Sequence, residues 1–331
     1  MKSLIIAEAG VNHNGSIAIA KELCLAAKEA GANVVKFQTW ITERIITHGV
    51  AQADYQVQNT GNNQSQFDML KSLELSFDAF REIKEYCDQI GIAFASTADE
   101  PESLDFLLSL GIPFIKLGSG DLSNIPFLRY CGSKGMPVIL STGMGTLADV
   151  DRAIGALRSG GTHDITLLHC TTNYPCPFDD VNLRAMNTLG TAFGLPVGYS
   201  DHTQGIEVAI AAVSLGATVV EKHFTLSRTM EGPDHIASTE PDEFKRMVTA
   251  IRNVEQSLGT GIKQPTQSEK EISDVVLKRI VADRFVPKGT IISESDLCVK
   301  RSSSGLPAEM WDLVVGTEAR SDFAIDEGIV F

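Results

Sequence analysis

The stretch 196-PVGYSDHTQGIEVAIAAVSLGATVVEKHF-224 decides the architecture. Pro196–Ser200 is a short β-prone run, residues 205–215 carry apolar side chains at helical spacing, Gly216 stops that helix, and Val219–Phe224 is a second β-branched run. A strand, a helix and a strand joined by short turns make a right-handed crossover between parallel strands. Toward the N-terminus the same unit recurs. Further strands are expected at Leu4–Glu8, Val34–Gln38, Ala93–Thr97, Phe114–Ser119, Val138–Thr142 and Ile165–Cys170, giving eight in all. Helical patterns fall between them at about 16–30, 76–90, 101–110, 124–134, 146–159 and 180–192, with a last one at 240–258. Ser16 reads as the first N-cap and Gly31 as the residue that ends that helix. Eight strand–helix units close into a (β/α)8 TIM barrel, which takes ~250 residues. A doubly wound open sheet would have fewer strands and a glycine-rich phosphate loop after the first, and no G-x-G-x-x-G occurs.

The chain has 331 residues, so the barrel leaves room for one small extra module. The sequence divides into a barrel at 1–260, a polar linker at 261–275 and a turn-rich β module at 276–331. One strand-to-helix connection, from Thr39 to about Leu75, is abnormally long, polar around Asn59–Gln66 and almost without periodicity, which is how a functional loop reads. Acidic residues outnumber basic ones 42 to 28, a net charge of −14, which argues against a general nucleic-acid or anionic-membrane binder. No apolar run approaches the ~18 residues of a membrane span. The N-terminus turns polar too early for a secretory signal, and six cysteines without a CxxC pair read as reduced thiols, so a cytoplasmic protein is expected.

In such a barrel the chemistry lies at the C-terminal ends of the strands. Glu8, Lys36, Lys116, Ser119, Asp121, Ser141, Thr172, Tyr174, Ser200, His202 and His223 all stand there, and Asp234 follows the last strand in the turn Gly232–His235. Five of the seven histidines (13, 169, 202, 223 and 235) fall on this face, more than packing alone accounts for. His202 and His223 sit on adjacent strands, where two imidazoles converge on one divalent ion such as Mn²⁺, Zn²⁺, Co²⁺ or Fe²⁺. Two histidines without a cysteine point to an open, catalytic site. Strand alternation puts Glu221 and His223 on one face and Lys222 on the other, so Lys222 has a structural role. Lys36 and Lys116 with Ser119, Ser141 and Ser200 make an anion cradle. Glu8, a carboxylate at the barrel mouth beside a lysine, is the general-base candidate.

The motifs E-A-G-V-N-H-N-G (8–15), V-K-F-Q (35–38), K-L-G-S-G-D (116–121), S-T-G-M (141–144), G-Y-S-D-H-T-Q-G (198–205), E-K-H-F-T-L (221–226) and G-P-D-H-I-A-S (232–238) together closely resemble the sialic acid synthase family. V-P-K-G-T-I-I (286–292) is similar to the antifreeze-like (SAF) domain of those enzymes. The resemblance implies a condensation of phosphoenolpyruvate with an N-acetylated hexosamine, giving a nine-carbon 2-keto acid and phosphate. It implies that His202 and His223 hold a divalent metal, Mn²⁺ before Mg²⁺ or Co²⁺, that polarises the sugar aldehyde. It implies that Lys116, Ser119, Ser141 and Ser200 hold phosphoenolpyruvate, with Thr172 where relatives carry Asn or another small polar residue. Glu8, Lys36, Tyr174 and Asp234 would orient or deprotonate the sugar. Asp121 stands where many relatives carry Glu. Arg301 matches an arginine that reaches the acetamido group from the partner subunit of a domain-swapped homodimer. The expected product is N-acetylneuraminate from N-acetylmannosamine. The alternatives are a legionaminic acid synthase or an N-acylneuraminate-9-phosphate synthase and, from another class, a metal-dependent barrel hydrolase. A carbohydrate- or ice-binding protein, suggested by the C-terminal module alone, leaves the polar barrel mouth without a purpose.

Overall fold

The computed structural model describes residues 2–52, 57 and 65–331. Eight parallel strands close into a barrel in chain order. They are β1 (Leu4–Gly10), β2 (Val34–Thr39), β3 (Ala93–Ala98), β4 (Ile115–Leu117), β5 (Val138–Ser141), β6 (Ile165–His169), β7 (Val197–Asp201) and β8 (Val219–His223). These are the runs expected from sequence, with one correction of consequence at β4. That strand ends at Leu117, and Ser119–Asp121 form a 3₁₀ turn after Gly118. Ser119 therefore comes to the barrel mouth from a turn and not from a strand.

The barrel has two apolar layers, and strand periodicity sorts residues between them. On one phase of the strands, Ile5, Val35, Phe37, Phe94, Leu140, Leu167 and Val220 pack outward with the buried faces of the surrounding helices. Ile6, Val34, Ala95, Phe114, Ile139, Leu168 and Val219 form a separate buried cluster that fills the lumen. Two residues further along the same strands, on the same face, stand Glu8, Lys36, Thr97, Lys116, Ser141 and Glu221. The lumen thus changes from apolar to charged in one step of the pleat.

Helix ends follow local rules. Ser16 accepts from the Ile19 amide to start Ile17–Glu29, and Gly91 adopts the left-handed conformation that ends Phe77–Ile90. In β7, Gly198 is required by space: a Cβ there would lie 2.4 Å from the Val219 carbonyl oxygen and 2.7 Å from Leu168 Cδ2. Gly198→Ala is expected to lower barrel stability by about 1–3 kcal/mol, read as a lower urea midpoint. An unchanged midpoint would show that β7 has room to shift.

The long connection after β2 is less irregular than its composition suggests. It holds the short helix Thr42–Ile45 and the helix Gln66–Leu73, the latter started by Ser65 accepting from the Asp68 amide. Met69 and Leu73, one turn apart, are buried with Val11 and Trp40 in a small cluster of their own, which offsets the weak helical pattern around them. Most of the polar run expected as loop, residues 59–64, lies outside the described residues.

The chain divides into two compact units, Met1–Gly259 and Thr260–Phe331. The second opens with the helix Gln267–Val276, begun by a capping box between Thr266 and Glu269 and without buried residues. Strands β9 (Lys278–Ala282) and β10 (Leu297–Arg301) pair antiparallel. Its core gathers Ile280, Ala282, Val286, Ile292, Leu297, Val314, Ala319, Phe323 and Ile329. Among the described residues no helix is long and apolar enough to cross a membrane. The six cysteines are free.

Candidate active site

A cavity of about 260 Å³ opens at the C-terminal ends of the barrel strands. Glu8, Lys36, Lys116, Ser119, Ser141, Thr172, Tyr174, Ser200, His202, His223 and Asp234 line it. Asp121 is outside that lining, where its Oδ1 accepts from Asn124 Nδ2 at 3.0 Å. Arg301 stands exposed at the end of β10 in the second unit.

The floor is a buried network of charges. Lys36 Nζ lies 2.6 Å from Glu8 Oε2 and 3.8 Å from Glu221 Oε2. It also donates to Thr97 Oγ1 at 3.0 Å. Lys116 Nζ lies 3.5 Å from Glu221 Oε1 and donates to Ser141 Oγ at 2.9 Å. Ser200 Oγ donates to Glu221 Oε1 at 3.0 Å. This corrects the expected anion cradle. Lys36 does not present a bare charge, because an unpaired ammonium in a dry lumen is costly, and the two lysines share two carboxylates. Lys116 with Ser141 remains the cationic edge. Ser119 Oγ is occupied by the Gly143 amide at 3.0 Å and lies 3.2 Å from Cys170 Sγ.

The two glutamates are pushed apart in acidity. Burial works to raise Glu221, but Lys116 and Lys36 outweigh it and hold the carboxyl down at about 2. Burial raises Glu8 to about 7, with Lys36 opposing and Glu221 reinforcing the shift. With burial raising Glu8 and two lysines holding Glu221 down, Glu8 is the more basic carboxylate of the pair and Glu221 the more firmly charged one. Glu8 Oε1, Gln38 Nε2 and Asp234 Oδ2 converge around Gly10, whose φ of +51° is the left-handed conformation that favours glycine. Gln38 Nε2 donates to Glu8 Oε1 at 3.1 Å. Burial alone lifts Asp234 to about 6.

His202 and His223 lie edge to face with ring centroids 5.5 Å apart, and the Tyr174 ring packs on both. His202 Nδ1 lies 2.6 Å from the Thr171 carbonyl oxygen, which only accepts, so Nδ1 carries the hydrogen and Nε2 keeps its lone pair. Nδ1 of His223 is buried and has no hydrogen-bond partner among the described residues. Burial lowers both imidazoles, His223 the further because His202 lies beside it, so both are neutral at pH 7. Among the described residues no three His, Cys, Asp or Glu side chains gather as a closed ion site. The donor set fits an open two-imidazole site whose other positions fall to water or substrate.

The other three histidines at the barrel mouth serve the fold. His13 is fully buried and its Nδ1 accepts from the Gly15 amide at 3.0 Å. His169 Nε2 bonds the Val181 carbonyl at 2.7 Å, and His235 Nδ1 bonds Thr225 Oγ1 at 2.6 Å. Their clustering on one face reflects the turns they brace. Lys222 points outward, as alternation requires, and pairs with Asp201 at 2.7 Å.

Sequence reasoning gave Glu221 no place among the site residues, although its i, i+2 spacing from His223 already put it inside the barrel. It also left out Gln38, Thr97 and Asp99, and an apolar wall of Val11, Met69, Leu70 and Leu73. Asp99 closes β3's side of the cavity, where burial pushes it up to about 7.

The model of the NeuB family matches residues 23–263, and that of the SAF domain matches residues 279–331. The chain is similar to N,N'-diacetyllegionaminic acid synthase of Campylobacter jejuni, 44% identical over 98% of both chains. It is similar to human N-acetylneuraminate-9-phosphate synthase, 36% identical over 92% of this chain and 85% of the relative. Among solved structures it resembles the N-acetylneuraminic acid (sialic acid) synthetase of Leptospira borgpetersenii, with a TM-score of 0.72 and 33% identity over 82% of this chain and 90% of that one.

Proposed function

The chain belongs to the NeuB family and is a transferase that condenses phosphoenolpyruvate with a sugar, and on that premise we propose that its acceptor is an unphosphorylated N-acetylated hexosamine, N-acetylmannosamine giving N-acetylneuraminate. The observation that carries the acceptor class is the charge pairing of the lumen. Among the described residues lining the cavity the cations are Lys36 and Lys116, each already beside a carboxylate, which leaves a sugar 6-phosphate no cation of its own. This pairing speaks against the 9-phosphate alternative. One observation favours a second reading: the apolar wall of Val11, Met69, Leu70 and Leu73 suits an acceptor with a further acyl or methyl group, as a diacetylated legionaminic acid precursor has.

In this reading Lys116 and Ser141 hold an anionic end of phosphoenolpyruvate by charge-assisted hydrogen bonds, with Ser119 and Thr172 beside them. Glu221, shared by both lysines, keeps them protonated. His202 and His223 would hold the divalent ion, Mn²⁺ before Mg²⁺ or Co²⁺, which when bound supplies Lewis acidity to a sugar aldehyde oxygen. C3 of phosphoenolpyruvate then forms a bond to the aldehyde carbon, water adds at C2, and the C2–O bond to phosphate breaks to leave the 2-keto group; of the two protons of water, one ends on the former aldehyde oxygen and the other leaves with phosphate. Glu8, oriented by Gln38 and Lys36, moves the proton, and Asp234 and Tyr174 position the sugar. The lysines, needed for an anionic substrate, have no use in a metal-dependent hydrolase. We place the reaction in the cytoplasm, with two chains exchanging C-terminal modules so that the partner's Arg301 holds the acetamido group.

The experiment is phosphate release from phosphoenolpyruvate with a panel of acceptors: N-acetylmannosamine, its 6-phosphate and a 2,4-diacetamido-6-deoxy hexose. Release with either unphosphorylated sugar, lost on chelation and restored by Mn²⁺, is expected. Turnover confined to the 6-phosphate overturns the acceptor class. Within the same assay Lys116→Ala is expected to raise KM for phosphoenolpyruvate while leaving that for the sugar near its wild-type value. The opposite split would move Lys116 to the sugar side.

A further inference from the structure

We propose that the buried Asp201–Lys222 ion pair is a positioning device for His202 and His223, setting the distance between the two imidazoles and with it the affinity of the chain for a divalent ion; this rests on the two-imidazole metal reading above. The pair lies on the outer face of the barrel wall, away from the cavity. Asp201 and Lys222 are each 1% exposed. Lys222 Nζ donates to Asp201 Oδ2 at 2.7 Å and to the Thr203 carbonyl at 2.8 Å. Asp201 Oδ1 accepts from the Thr203 amide at 2.9 Å and from Thr203 Oγ1 at 2.7 Å. The cavity's ion-pair network touches neither residue, so substrate chemistry does not explain them.

Their place in the strand register does. The ladder between β7 and β8 pairs Tyr199 with Val220, Ser200 with Glu221 and Asp201 with Lys222, and stops there. His202 is the next residue after that last rung, and His223 the next on the other strand. His223 is still held by β1, opposite Glu8. His202 has no strand neighbour on the β8 side. The side-chain clamp takes over where the backbone ladder ends: Lys222 reaches across to Asp201 and past His202 to Thr203, pinning the turn on both sides of the ligand. Alternation sends the clamp outward and the imidazoles inward, so a change of strand spacing at the clamp appears as a change of ring spacing inside. Groups that orient metal ligands in this way commonly change metal affinity 10- to 100-fold when removed.

The test is Mn²⁺ binding to the chelator-stripped full chain, followed by the EPR signal of free Mn²⁺, with melting temperature measured in parallel. Asp201→Asn/Lys222→Met removes both charges together, so no lone buried charge is left to unfold the barrel. The expected result is a melting temperature near wild type with Mn²⁺ affinity reduced about 10-fold or more. A merely structural pair predicts that the recovered melting temperature brings wild-type Mn²⁺ affinity with it, and that result overturns the proposal. Should the double variant not fold, Thr203→Val, which loosens only one side of the clamp, is expected to weaken Mn²⁺ binding in the same direction, and unchanged binding there overturns it equally. A wild-type chain that leaves all Mn²⁺ free overturns the two-imidazole reading and this proposal together, and so is distinguished from failure of the pair alone.

Discussion

Glu221→Gln is expected to lower the free energy of unfolding by about 3–5 kcal/mol and to leave phosphate release undetectable. Glu221 is 4% exposed and is the carboxylate that Lys36 and Lys116 have in common. The substitution keeps the shape and one hydrogen bond to Ser200 but removes the charge. Lys116 then has no carboxylate at contact distance among the described residues, and a buried ammonium without a partner either loses its proton or destabilises the barrel. Burial already lowers Lys116, while the Glu221 charge is the strongest force holding it up. Either outcome removes the cation that an anionic substrate needs, so stability and turnover fall together. Urea unfolding and phosphate release measure the two effects. A variant that unfolds at the wild-type midpoint would show that the lysines are not held through Glu221. Full stability with lost turnover would confine the carboxylate to chemistry alone.

Two inactive variants, Glu8→Ala and Arg301→Ala, are expected to regain activity when mixed under subunit exchange. The expectation follows from the proposed exchange of C-terminal modules. A mixed dimer has one site assembled from an intact barrel and an intact partner module, and one site with both lesions. Random exchange in a closed two-fold dimer makes about half of the dimers mixed, so about a quarter of wild-type activity should return. Arg suits the transferred role because its planar fork bonds an acetamido oxygen while its charge is independent of pH. Each variant alone should retain the wild-type circular dichroism, since Arg301 is exposed and Lys36, on losing Glu8, still has Glu221 at 3.8 Å. A mixture that stays inactive after exchange is demonstrated by mass spectrometry would place Arg301 in its own chain's site or in none.

The sequence by itself determined the periodic features. Eight β-runs, the helices between them, the inward phase of Glu221 and His223 and the outward phase of Lys222 all follow from repeats of two and of 3.6 residues, which are properties of neighbouring residues on one strand or helix. The apolar-to-charged step in the lumen was legible in the same way, as Val34 before Lys36 and Phe114 before Lys116. Tertiary structure decided which charges met. Lys36 going to Glu8, both lysines sharing Glu221, and Asp201 holding Lys222 depend on barrel closure and register between strands far apart in the chain, which no local pattern encodes. It also decided the three histidines that brace turns, since the carbonyls and hydroxyls they bond come from distant loops or from turn geometry. Ser119 left its strand because the β4 ladder stops at Leu117, and the helix Gln66–Leu73 formed because Val11 and Trp40 offered its apolar side a surface. In each case the deciding quantity is a through-space contact that buries a group or satisfies it, and such contacts exist only once the barrel has closed.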